Sequence, residues 1–96
     1  MSDALQLVGL AARAGRIVSG GDLCQKETRM GKIALLLIDE SVSKNTLDKF
    51  SALSNAHNVP IRMIGQGLLG ASIGRENRMI VAVKKGSLAD QIIALL

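Results

Sequence analysis

The residues of this 96-residue chain best suited to chemistry lie between Arg16 and Lys32, in the run R-I-V-S-G-G-D-L-C-Q-K-E-T-R-M-G-K. The pattern reads as a short strand ending at Val18, a glycine turn and a helix. Ser19 is the expected N-cap, with Asp22 answering it three residues on. Gly31 stops the helix, and Arg29 and Lys32 stand beside the negative end of its dipole. Spacings of four and three put Asp22, Lys26 and Arg29 on one face, with Gln25 beside them. Leu23 and Met30 fall on another face, suited to a core. A helix start bared by Gly20 and Gly21 offers N–H groups and half a positive charge to whatever approaches. That device fits a phosphate or the edge of a base. An ordinary solvated helix face accounts for the same residues equally simply.

Catalytic constellations are missing. The chain holds no G-x-S-x-G, no G-x-x-x-x-G-K-[ST], no G-x-G-x-x-G and no H-E-x-x-H. Cys24 lies inside the second helix and reads as a small buried hydrophobe rather than a nucleophile, because nothing links it to His57. Asp39 and Glu40, at a strand end, resemble one corner of a phospho-receiver or metal site. The acidic pair that a receiver needs after its first strand is replaced by Ser-Gly-Gly, so loop solvation is the expected role.

The elements that position these residues alternate. Asp3 to about Ala14 is a helix striped by Leu5, Val8 and Ala12, ending at Gly15 beside Arg13 and Arg16. Ile33–Ile38 is an unbroken apolar run, as in a strand buried on both faces. The polar D-E-S-V-S-K-N-T loop follows it, at the strand's carboxyl end, where open α/β sheets usually place ligands. Ser43 or Asn45 caps a third helix whose apolar face is Leu47, Phe50 and Leu53. Ile61–Ile64 is a strand, and 66–73 a short helix ending at Gly74. R-E-N-R is a charged loop, and Met79–Val83 the last strand. Ser87 with Asp90 caps a final helix. This order points to an α/β sandwich with helices on both sheet faces.

Composition narrows the partners. A 48% hydrophobic chain of this length makes one small domain, spanning 1–96, with a real core. No run approaches the roughly 20 apolar residues of a membrane span. M-S-D-A-L has no basic and apolar leader, and one Cys with one His supports neither disulfides nor zinc. A cytoplasmic protein is expected, with no cofactor and no metal. The net charge of +4 leans towards anionic partners. Phe50 is the single aromatic residue, which argues against base stacking on a sheet or groove.

Four segments in order then carry a resemblance: L-x-G-L-A-A-R-A-G-R-I-V-S-G, K-E-x-R-x-G-K, D-E-S-V-S-K-N-T and L-G-x-x-I-G-R-E-N-R-x-I-V-A-V. From about Leu5 to Val83 the chain resembles the L-seven-Ae family of ribosomal proteins, most nearly its small bacterial members. The resemblance implies a three-layer α/β/α sandwich around a mixed four-stranded sheet. It also implies binding without catalysis, to kink-turn RNA such as rRNA or an mRNA leader, by a monomer. The implied contact regions are Gly20 to Lys26, Asp39 to Asn45 and Arg75 to Met79.

Within them, backbone at Gly20 and Gly21 would approach the bulge. Lys26, Lys44, Arg29 and Arg78 would neutralise phosphates. Asp22, Gln25 and Asn45 would make polar contacts, and Met79 would pack on a flipped nucleotide. One departure stands out. Family binders read G-A-N-E-x-x-K at the second helix, and here Asp22 stands at the Asn position and Leu23 at the Glu position. Asp accepts but does not donate, and Leu does neither. The alternative is therefore a protein-interaction module on the same fold, without specific RNA binding.

Overall fold

A computed structural model describes residues 2–96; Met1, the first residue of the domain expected over 1–96, lies outside the described residues. The central run becomes the middle of a sheet. β2 (Ile33–Asp39) pairs with β4 (Ile80–Lys84) antiparallel on one side and with β3 (Ile61–Ile64) parallel on the other. β1 (Ile17–Ser19) adds to the outer side of β4, antiparallel, giving the order β1-β4-β2-β3. The sheet is mixed and four-stranded.

Burial on both faces follows from the alternation of β-strand side chains. Leu35, Leu37, Val81 and Val83 point to one core, with Leu5, Val8, Leu69 and Ile92. Those partners come from α1 (Asp3–Arg13), α4 (Leu68–Ile73) and α5 (Ser87–Leu95). Ile33, Leu36, Ile38, Ile80 and Ala82 point to the other core, with Cys24, Phe50 and Leu53. That side is covered by α2 (Gly21–Arg29) and α3 (Lys44–His57). A register shift between Ile33 and Leu35 lets Ala34 and Leu35 face the same core. The result is the expected three-layer α/β/α sandwich.

Three local expectations are corrected. Ser19 does not cap α2. It is the last residue of β1, opposite Val81, and Gly20 is the N-cap, at φ +93° and with no side-chain cap. Ser87 likewise lies inside α5, which Gly86 begins, and its hydroxyl receives the Gln91 side chain instead of capping. Leu23 and Met30 are not core residues; they are 44% and 53% exposed. The buried stripe of α2 is Cys24, Gln25 and Thr28. Ser43 proves to be the α3 cap, accepting from the Thr46 N–H.

The ends of α1 and α2 share one device. The Arg16 N–H donates to the Ala11 carbonyl and the Gly15 N–H to that of Ala12. At α2 the Lys32 N–H reaches Glu27 and the Gly31 N–H reaches Thr28. Both are Schellman motifs, with Gly15 at φ +71° and Gly31 at +75° in the left-handed region that favours glycine.

Candidate functional site

Antiparallel pairing of β4 brings its start beside the ends of β1 and β2. The Gly20 N–H donates to the Ile80 carbonyl at 2.9 Å, and the Asp39 N–H to the Met79 carbonyl at 2.8 Å. One end of the sheet, an edge made of strand termini rather than of the outer strands β1 or β3, therefore gathers the start of α2, the β2–α3 loop and the α4–β4 loop. Of the sequence-derived candidates, it brings Gly20, Gly21, Asp22, Lys44, Asn45, Arg78 and Met79 to this edge or the helix starts that border it. Lys26 and Arg29 lie further along α2, on its exposed side.

The backbone offers less at Gly20 than the sequence implies, because its N–H is already committed to Ile80. The donors left at the start of α2 are those of Gly21, Asp22 and Leu23, which lack intrahelical acceptors by geometry. No side chain caps them. Arg78 lies over this turn: a Cβ on Gly20 would stand 3.0 Å from the guanidinium. Gly20 thus serves both a positive φ and close approach of an arginine.

Gln25 is turned inward rather than lying free beside Asp22, Lys26 and Arg29. It is 9% exposed, its amide donates to the Gly21 carbonyl and its oxygen accepts from Arg29. Its polar groups are spent within the helix, and the link steers the Arg29 guanidinium back along α2. Lys44 lies 3.9 Å from Asp48, both largely exposed, a pairing worth little in water.

The residue that builds the edge is Asp39. It is 3% exposed, not a solvated loop carboxylate. One oxygen accepts from the Ser41 N–H (2.8 Å) and hydroxyl (2.6 Å); the other accepts from the Gly67 N–H at 2.8 Å. Burial raises its pKa, but the hydrogen bonds from Ser41 and Gly67 outweigh that and hold it below the usual carboxylate value. Glu40 adds a bond from the Gln66 N–H. The β2–α3 loop and the start of α4 are fastened together through one carboxylate. Its signal in the sequence is an Asp closing an apolar strand with Ser two residues on, an Asx-turn pattern.

The α4–β4 loop forms a ridge between two clefts of about 760 and 640 Å³. The larger opens on Arg13, Ser19, Leu23, Arg75 and Arg78. The smaller lies between Asp39, Ser41, Gly67 and Met79. Ridge and helix fit closely, since a Cβ on Gly70 would stand 2.8 Å from the Arg75 carbonyl. Asn77, at φ +65°, makes the left-handed turn at the ridge.

Cys24 is fully buried beside the Val18 and Ile80 carbonyls, and burial pushes its thiol up to about 12. It is a packing residue, not a thiolate. Among the described residues no three His, Cys, Asp or Glu side chains cluster as metal ligands, and no helix is long and apolar enough to cross a membrane.

Known proteins are similar to this chain in sequence or in fold. The model of the ribosomal protein L7Ae/L30e/S12e/Gadd45 family matches residues 2–93. A protein of Bacillus subtilis (strain 168), RNA-binding protein YlxQ, is 42% identical over 91 residues, covering 94% of this chain and 91% of its own. RNA-binding protein YlxQ of Enterococcus faecium is 27% identical over 84 residues, covering 86% and 82%. The solved structure of a protein with unknown function from Bacillus halodurans C superposes with a TM-score of 0.94 at 26% identity, covering 99% of this chain and 97% of that one. The 15.5kD RNA binding protein of Giardia lamblia superposes with a TM-score of 0.79 at 19% identity, covering 96% and 86%, which is a likeness of fold.

Proposed function

This chain belongs to the ribosomal protein L7Ae/L30e/S12e/Gadd45 family, and from that premise we propose that it is a cytoplasmic, non-catalytic monomer that binds structured RNA of kink-turn type, in rRNA or an mRNA leader. The names of its YlxQ relatives support RNA as the ligand. The observation that carries the reading is the gathering of three segments at one sheet edge, tied by the Gly20–Ile80 and Asp39–Met79 hydrogen bonds. A sharply bent RNA presents two backbones and exposed base edges at once, and a surface made of three loops can meet them together.

The roles follow from exposure. N–H groups of Gly21 and Asp22, with the half-positive end of α2, face the bulge. Arg78, over Gly20, and Lys26 and Lys44 neutralise phosphates. Asp22 and Asn45 address base edges or sugars, and exposed Met79 packs on an unstacked nucleotide. Gln25 is a positioning residue rather than a contact.

Exposed Leu23 favours a second reading. A large apolar side chain at the position where family binders carry Glu, with Met79 also 41% exposed, suits a protein partner better than a guanine edge. Amide chemical-shift mapping separates the two. With a kink-turn RNA, shifts are expected at Gly21–Leu23, Ser41–Asn45 and Arg75–Met79. No shifts at these three segments at near-stoichiometric RNA would overturn the RNA reading.

A further inference from the structure

We infer that the opposite edge of the sheet is a second phosphate-binding face, which takes RNA lying outside the primary site. The inference rests on the RNA reading above and extends it to a different surface. It begins from where the charge sits. At the primary edge Lys44, Arg75 and Arg78 stand among Asp22, Asp39, Glu40 and Glu76, and Lys44 already faces Asp48. The loops of that edge carry no surplus of positive charge, and Lys26 and Arg13 stand behind them on α2 and α1. Much of the +4 of the chain therefore lies elsewhere.

A large share of it lies where β1 and β2 begin and β4 ends. The Lys84 N–H donates to the Arg16 carbonyl at 2.9 Å, and the Lys85 N–H to the Lys32 carbonyl at 3.0 Å. The Arg16 guanidinium in turn donates to the Lys85 carbonyl. Three separate segments are thus stitched side by side, each carrying a cation: Arg16, Lys32, and the Lys84–Lys85 pair. Arg29 follows one turn back on α2. The opposing carboxylates are Glu27, 3.8 Å from Lys32, and Asp90 in the first turn of α5.

Cations near helix ends commonly serve only to complement the dipole. Here the terminal carbonyls of α1 and α2 are met by the backbone N–H groups of their Schellman motifs. Lys84 and Lys85 are not at a helix C-terminus at all. Arg16 is held by the Lys85 carbonyl and Lys32 faces Glu27, but the Lys84 and Lys85 ammonium groups have no partner among the described residues. A polyanion with regularly spaced phosphates matches the cluster. β2 spans about 20 Å between the two edges, so one short RNA bend cannot fill both; a stem running on past the bend can.

The test uses the full chain and two RNAs: a kink-turn with minimal stems, and the same kink-turn with one stem extended. The variant carries Arg16→Gln, Lys32→Gln and Lys85→Gln together, and its melting temperature is checked against the parent. Lys85→Gln alone, which keeps the carbonyl that Arg16 uses, serves if the triple variant is unstable. On the extended RNA, the slope of log affinity against log salt is expected to fall by about two to three for the triple variant, close to one per lost phosphate contact, or by about one for the single variant. On the minimal RNA it should not change.

An unchanged slope on the extended RNA overturns the inference, and an acidic protein partner for this face would produce that outcome. An equal fall on the minimal RNA overturns it too, by placing these cations against the primary ligand. Failure of the primary-site reading shows differently, as a parent protein with no preference for the kink-turn over a duplex.

Discussion

On the proposed RNA reading, Asp22 and Leu23 set how tightly this surface holds RNA. Both are exposed at the start of α2, one turn from Lys26. Neither supplies what a guanine edge asks of the Asn and Glu at those positions in family binders. Charge-assisted hydrogen bonds to a base contribute about 1.5–3 kcal/mol each. The combined Asp22→Asn and Leu23→Glu change is therefore expected to raise kink-turn affinity roughly ten- to a hundredfold, read by titration against the parent. Unaltered affinity would remove both positions from the contact.

Asp39 makes the second prediction at this scale. Its folded pKa is depressed, so its contribution to stability is fully present above the ordinary carboxylate value and is lost as pH falls through the lowered one. Thermal melts should show the parent losing stability below about pH 4 more steeply than Asp39→Asn. At neutral pH, Asp39→Ala should cost about 2 kcal/mol by stranding the Gly67 N–H and the Ser41 groups.

The elements show why some of this was legible in the sequence and some was not. β2 announced itself through six consecutive apolar residues, and a strand buried on both faces has no other way to be written. α2 is nine residues long, and a wheel that short fits more than one apolar stripe. Packing chose Cys24 and Thr28 against the sheet, which turned Gln25 inward and Leu23 outward. Ser19 and Ser87 each matched a cap pattern. Ser19 was claimed by pairing with β4, and a glycine took the cap position at both helices. The three segments implied by the resemblance do meet, but their fastening by Asp39 depends on tertiary bonds that no local pattern records.

The contact between α4 and the ridge belongs to the same scale. Gly70→Ala would place a methyl 2.8 Å from the Arg75 carbonyl, which is backbone and cannot rotate away. The expected loss is about 1–3 kcal/mol, with each kilocalorie lowering the melting temperature by about 4–8 °C in a protein of this size. RNA binding should weaken beyond that loss, because the ridge carries Arg78 and Met79. A variant that melts lower yet binds RNA unchanged would separate the ridge from the site.

At the scale of the whole molecule, the sheet has two unlike edges. One is shaped by loops that carry no surplus of positive charge and by a buried carboxylate. The other is stitched from strand ends and is basic. Shape recognition at the first should survive salt, whereas attraction at the second should not. The most direct measurement is a titration of the full chain against a kink-turn RNA and against a plain duplex of equal length, at two salt concentrations. A preference for the kink-turn that persists at the higher salt is the predicted result. Equal affinity for both RNAs, erased together by salt, would contradict it and leave only a basic surface on a protein-interaction module.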